Sequence, residues 1–227
     1  MSEMKLTKAA EFLLALDRAG FNGGIAQKII NSKGNVLAKK MYDFVKGEII
    51  DLYFGPAFRD FRFTVPLDYD HDSQLDTFAR KTKDSSTTLS FDVNLSSKNF
   101  AKATTRLIPG KTYRVQLFPI LEMVWGEYCI RFLKKKGAIL VGGQGITLLQ
   151  DKVPDEFKFP TMDGYVVSFD EEYDLWKDNY DCYNVPQIKY NSSIDSWKFS
   201  LHRFNIGLSG VGFLLCVSEL PNEKTNK

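Results

Sequence analysis

The densest cluster of candidate metal-ligating groups is Asp68-Tyr69-Asp70-His71-Asp72-Ser73-Gln74-Leu75. Carboxylates at alternate positions, followed by an apolar residue at the eighth, are how a calcium loop begins. Such a loop also needs glycine at its sixth position and a bidentate glutamate at its twelfth. Ser73 and Ala79 stand there instead. Three carboxylates without the closing glutamate supply too few oxygens. The expected structure is therefore an acidic turn in which Asp72 caps a helix running to about Thr82, with no metal.

Gly142-Gly143-Gln144-Gly145 is the second candidate. A glycine run between a strand and a helix can bring backbone N–H groups up to a phosphate. Here the third glycine of a dinucleotide fingerprint would fall on Leu148, and no Lys-Ser/Thr pair follows for a P-loop. The expected structure is a tight strand-to-helix turn. A pocket near 142–145 is kept as the enzymatic alternative.

Nucleophilic catalysis has little to work with. The only histidines are His71 and His202, and the latter lies in an alternating stretch that reads as a strand. Cys129, Cys182 and Cys216 show neither CxxC nor Cys/His metal spacing, and no base lies near Cys129 in sequence. No catalytic residue and no cofactor is assigned.

The elements that must position these groups follow from hydrophobic periodicity. The 227 residues have an ordinary globular balance, 44% hydrophobic and 26% charged, and can build a core without disulfides or metals. Aromatic content is high, with 18 Phe and 10 Tyr, as expected where large rings fill thin β layers. Residues 6–46 carry apolar residues at helical spacing, broken near 19–24 and 31–35, and read as three short helices. Residues 47–56 read as a joint. Phe61–Pro66 alternates as a strand, and Pro109-Gly110 is turn chemistry. Tyr113–Phe118 alternates, Glu122–Lys136 reads as a helix stopped by Gly137, and Ala138–Val141 as a short strand. A helix over Thr147–Val153 and strands at 165–169, 185–190, 197–204 and 212–218 complete the reading. The predicted class is α+β. A helical bundle at 1–50 and a mixed α/β segment at 55–110 precede a domain with antiparallel strands at 111–220, and 221–227 is a flexible tail.

Charge excludes some functions. A net charge of +2 implies no strong polyanion partner. No apolar run reaches the roughly 18 residues of a membrane span. With no export signal at Met1–Lys5, the expectation is a cytoplasmic protein with reduced thiols and no membrane partner. Two segments are strongly biased. Lys98–Arg114 holds five basic residues and no acid, whereas Asp163–Cys182 holds seven acids and one base. Two solvated segments are the favoured reading, and a mutual or partner contact is the other.

Residues 112–219 resemble a C-type-lectin-like domain, the fold shared with formylglycine-generating enzymes and phage tropism proteins. The likeness rests on order. The strand Tyr113–Phe118 leads to a helix with Trp125, Tyr128 and Cys129. Gly137-Ala138-Ile139-Leu140-Val141 and a second helix follow, then Trp197 and a closing Phe213-Leu214-Leu215-Cys216-Val217. Gly164-Tyr165-Val166-Val167 stands where the family has W-I-G-L, and its sugar-site and calcium signals are missing, so calcium-dependent sugar binding is not implied. The whole chain is similar to bacterial and phage-type proteins that join a helical N-terminus to such a domain. The resemblance implies that the first and last strands pair antiparallel. It also implies that Cys129 and Cys216 form a structural pair, close in space as reduced thiols.

The function expected on these grounds is a non-catalytic module that binds a protein or small ligand on the segment Tyr173–Gly212. Trp176, Tyr180, Tyr183, Tyr190 and Trp197 are the candidate ligand-binding residues, because aromatic side chains anchor interfaces. Each of them could equally fill the core. The alternative is a nucleic-acid-binding regulator working through residues 6–46, where 1–50 carry eight basic and five acidic residues. Oligomeric state is left open.

Overall fold

The structure is a computed structural model, in which residues 18, 24, 27, 28, 31, 50–84, 89–91, 96–100, 105–158, 164–171, 175–178, 180–193, 196–208 and 212–220 are described. The chain divides into two compact units, Met1–Ile49 and Ile50–Lys227. In the first, residues 18, 24, 27 and 28 are helical. The rest of the expected three-helix bundle, and with it the nucleic-acid reading, lies outside the described residues, as does the tail 221–227.

The second unit is α+β, built on one mixed sheet. Its strands are β1 (Arg59–Thr64), β2 (Leu89–Phe91), β3 (Thr112–Pro119), β4 (Ala138–Ile139), β5 (Tyr165–Val167), β6 (Trp176–Lys177), β7 (Tyr183–Asn191), β8 (Ser196–Arg203) and β9 (Gly212–Glu219). They lie in the order β1-β3-β9-β5-β7-β8-β2, with β4 on β9 and β6 on β7. The mixed segment 55–110 therefore supplies both edges of the sheet: β1 pairs antiparallel with β3, and β2 pairs parallel with β8.

β9 lies inside the sheet. It pairs antiparallel with β3, from Tyr113↔Glu219 to Pro119↔Phe213. Its other side takes β5 in parallel along Gly212–Leu214 and β4 antiparallel at Val217 and Ser218. A strand covered on both faces should be apolar without alternation. Gly212–Val217 is accordingly buried at every position. Phe213, Leu215 and Val217 face one core with Val115, Leu117 and Ile188. Leu214 and Cys216 face the other with Phe118, Val167 and Val185.

Among the described residues, four helices cover the two faces. α1 (Gln74–Asp84), α2 (Ser97–Phe100) and α4 (Gly142–Lys152) contribute Leu75, Phe78, Phe100, Ile146, Leu148 and Leu149 to the first core. α3 (Gly126–Lys135) contributes Cys129, Ile130, Phe132 and Leu133 to the second. Cys129 and Cys216 are both free and buried in that second core. Burial pushes the Cys216 thiol up to about 11 and raises that of Cys129 as well, so both stay protonated. Ile50 and Phe54 also belong to this core, around a 3₁₀ turn at Asp51–Tyr53. The stretch read as a joint is thus packed from residue 50 onward.

Three local readings change. The acidic turn is capped by Asp70 rather than Asp72: the Asp70 carboxylate accepts the Asp72 N–H at 3.2 Å and the Ser73 hydroxyl at 2.6 Å. Asp72 instead pairs with Arg106 at 2.8 Å. The second correction concerns α3, which begins at Gly126 and not near Glu122. Val124 exchanges two backbone hydrogen bonds of 2.8 Å with Leu208, and Trp125 is extended, so the helix cannot start before Gly126. Third, α4 begins at Gly142, so the glycine run is helix rather than turn.

The biased charge segments do not pair with each other through their described ion pairs. Arg106, Arg114 and Lys111 bond Asp72, Asp60 and Glu219, and in the acidic segment Glu171 takes Lys134 at 2.6 Å.

Candidate functional site

The Val124–Leu208 bridge brings two loops together, 120–125 before α3 and 204–208 after β8. Between them lies a groove of about 420 Å³ lined by Trp125, Gly126, Glu127, Tyr128, Phe204 and Asn205. The same loops carry four exposed large apolar side chains, Leu121, Met123, Trp125 and Ile206. Trp125 is 49% exposed although it stands at the N-cap of a helix with one buried face. Scattered exposed hydrophobics are ordinary, but an exposed tryptophan in a groove with Tyr128 and Phe204 marks a candidate binding surface.

Close packing fixes the groove walls. The Phe204 ring and carbonyl lie directly on the backbone of Gly126. A Cβ at Gly126 would sit 2.5 Å from Phe204 Cδ2 and 2.8 Å from its carbonyl oxygen. On the other side of the turn, His202 Nε2 lies 3.2 Å from the Ile206 carbonyl oxygen. The acceptor is a carbonyl, so that ring nitrogen carries the proton and donates it. This bond spans the residues that form the second wall.

The candidate aromatics separate into two groups. Tyr190 and Trp197 are directly opposite each other on β7 and β8, with ring centroids 4.8 Å apart. They are 8% and 7% exposed and belong to the first core. Trp176 is partly buried against the same core, 6.2 Å from the Phe100 ring. Strand alternation turns Tyr190 and Trp197 into the core, whereas Trp176 keeps part of its surface exposed. Tyr180, 80% exposed, and Tyr183 remain at the surface of the β6–β7 turn, with the Lys177 ammonium 5.4 Å from the Tyr183 ring. Asp178 shapes this turn by accepting the N–H groups of Tyr180 and Cys182.

The groove was hidden in the sequence because Trp125 falls in phase with Tyr128, Cys129 and Phe132 and so reads as one more core position of α3. The available signal is the lack of any Ser, Thr, Asp or Asn to cap a helix starting near Glu122. Phe204 is masked in the same way, as the last residue of an alternating strand.

The glycine run holds no phosphate cradle. Gly142 to Gly145 are all buried. Gly143 is packed against Leu75 and Phe100, and the carboxylate of buried Asp170 fills the space at Gly142. Gln144 is fully buried too, and its amide has no hydrogen-bond partner. Among the described residues, no group of three His, Cys, Asp or Glu is arranged to hold a metal ion. No described helix is long and apolar enough to cross a membrane.

His71 is buried, with Nδ1 2.9 Å from the Tyr69 hydroxyl. Burial lowers the pKa of both His71 and His202. The unfolded chain therefore binds protons before the folded one does. The stability that depends on the neutral rings is full above the ordinary histidine value of about 6.5 and is lost as pH falls below it toward the lowered folded values. Thermal melts between about pH 8 and about pH 5 should show a falling midpoint, and a His71→Gln, His202→Gln double variant should flatten the slope. An unchanged slope in the double variant would assign the acid sensitivity to other groups.

Comparison of the chain with known protein families, curated proteins and solved structures gives no match to any of the three.

Proposed function

We propose that this chain is a non-catalytic binding module of C-type-lectin-like type, whose ligand surface is the groove between Trp125 and Phe204. The observation that carries the reading is the half-exposed Trp125 set beside Tyr128, Phe204 and Asn205 in that groove, on loops that also expose Leu121, Met123 and Ile206. Burying such side chains against a ligand gains roughly 25 cal/mol per Å² of apolar surface, before the costs of association. Phe204, Asn205 and Ile206 fall within the segment expected to display the ligand surface. The lining favours a planar or aliphatic group, from a protein side chain or a small molecule, oriented by Asn205. The fold resemblance is supported by element order and by the antiparallel pairing of 113–119 with 213–219. The non-catalytic reading is supported by the apolar character of the walls and by histidines already engaged with Tyr69 and Ile206.

Trp125 gives a direct test. Of the three tryptophans, Trp197 is buried and Trp176 partly so, and Trp125 is the exposed one. In a fragment screen followed by amide and indole N–H spectra, aromatic and aliphatic fragments should shift the Trp125 indole and the Asn205 and Ile206 amides. A Trp125→Ala variant should weaken that binding at least about tenfold, as loss of a buried aromatic anchor does. Fragments that shift only Tyr180 and Tyr183 would move the site to the β6–β7 turn.

A further inference from the structure

We propose that the outer edge of β1 pairs with β1 of a second copy of this chain, in a single two-fold register set by Asp60 and Arg62. Among the described residues no strand follows β1 on that side of the sheet. The Val65 N–H donates to the Lys111 carbonyl at 3.0 Å, and the register with β3 is regular from Arg59↔Leu117 to Thr64↔Thr112. Counting back by twos, the backbone groups of Phe63 and Phe61 face β3. Those of Asp60, Arg62 and Thr64 face outward. An edge of outward N–H and C=O groups is a template for another strand.

Charges on an edge usually discourage pairing, so the register decides whether they oppose it here. With the two-fold axis at Phe61, Asp60 meets Arg62 of the second copy and Arg62 meets its Asp60. Both pairs then fall at positions whose backbone groups already face outward. Moving the axis by one residue places Arg62 on Arg62, or Asp60 on Asp60, and like charges directly opposite are destabilising.

The side chains are prepared for the favoured register. Asp60 is held on the sheet face by Arg114 Nε at 2.9 Å and Gln116 Nε2 at 3.0 Å. Arg62 is exposed and has no ion-pair partner among the described residues. Beside the strand runs a groove of about 380 Å³ lined by Asp60, Phe61, Arg62, Arg114 and Leu220, with room for the partner's side chains. On the opposite face, partly buried Phe61 would meet its own copy at the closely spaced, non-hydrogen-bonded position, extending the first core across the axis.

Sedimentation velocity over a dilution series, with amide hydrogen exchange on the same samples, tests this. The full chain should be dimeric at high concentration, with slowed exchange at the outward amides of Asp60 and Arg62. Arg62→Glu puts a carboxylate opposite Asp60 and should weaken the dimer at least about tenfold. Arg62→Pro, which removes one outward N–H, should do the same, and Arg62→Lys should keep the dimer. If Arg62→Pro disturbs the fold by circular dichroism, Arg62→Glu, an exposed charge change, still decides. A chain that stays monomeric at every concentration overturns the proposal. So does a dimer that survives Arg62→Glu, since its interface would lie elsewhere.

Discussion

Gly142→Ala is expected to destabilise the protein by about 2–5 kcal/mol. That range sums about 1–2 for an L-residue in the left-handed region and about 1–3 for overpacking a filled core. Gly142 has φ +52, and a methyl group there would come within 3.0 Å of both carboxylate oxygens of Asp170. Asp170 is buried, and the Gly142 N–H donates to the Phe169 carbonyl at 3.1 Å, so neither side of the contact can withdraw cheaply. Gly137 is the internal control. It has φ +70 with nothing within 4 Å of the added methyl, so Gly137→Ala should cost only the conformational part, about 1–2 kcal/mol. Urea unfolding of both variants, and of Gly142→Ala combined with Asp170→Ala, separates the two contributions. Equal losses at Gly137 and Gly142 would show that the Asp170 contact carries no weight.

The second large effect is expected at Gly126, where structure and proposed function meet. Gly126→Ala drives a methyl into the Phe204 ring and toward its backbone carbonyl, and should cost about 1–3 kcal/mol. The ring can rotate away but the carbonyl cannot, so the turn 203–208 should shift and close or distort the groove. Amide spectra should show displaced Asn205, Ile206 and Leu208 signals, together with loss of fragment-induced shifts at Trp125. Adding Phe204→Ala should recover part of the stability but not the binding. If Gly126→Ala keeps both the spectrum and the fragment response, the groove does not depend on this contact.

Much of the sheet was legible because its strands carry strong patterns. β3 alternates along Tyr113–Phe118, and β9 is an unbroken apolar run, which is how a strand buried on both faces reads. β2 and β6 were not legible. Two or three residues contain no periodicity, and their place depends on β8 and β7, which are far off or only later specified. The starts of α3 and α4 were misplaced for opposite reasons. A tertiary backbone pairing at Val124 shortens a helix that the apolar pattern would allow, while packing at 142–145 extends a helix through glycines that propensity would exclude. The groove was the least legible feature. Trp125 and Phe204 belong to patterns that normally mean burial, and only the Val124–Leu208 bridge between two distant loops leaves Trp125 exposed beside the partly buried Phe204.

The position of β9 has a consequence for how the chain acquires its structure during synthesis. The strand that holds β3, β4 and β5 together spans residues 212–219, after all of its partners have been made. A nascent chain that stops short of residue 212 has its β3 face and its β5–β7–β8 face complete but nothing between them. Contacts of such long sequence separation fold slowly and leave apolar surface exposed in the interval. On the ribosome, protease resistance of residues 50–208 should therefore appear late and abruptly, once residue 219 has cleared the exit tunnel, rather than growing with chain length.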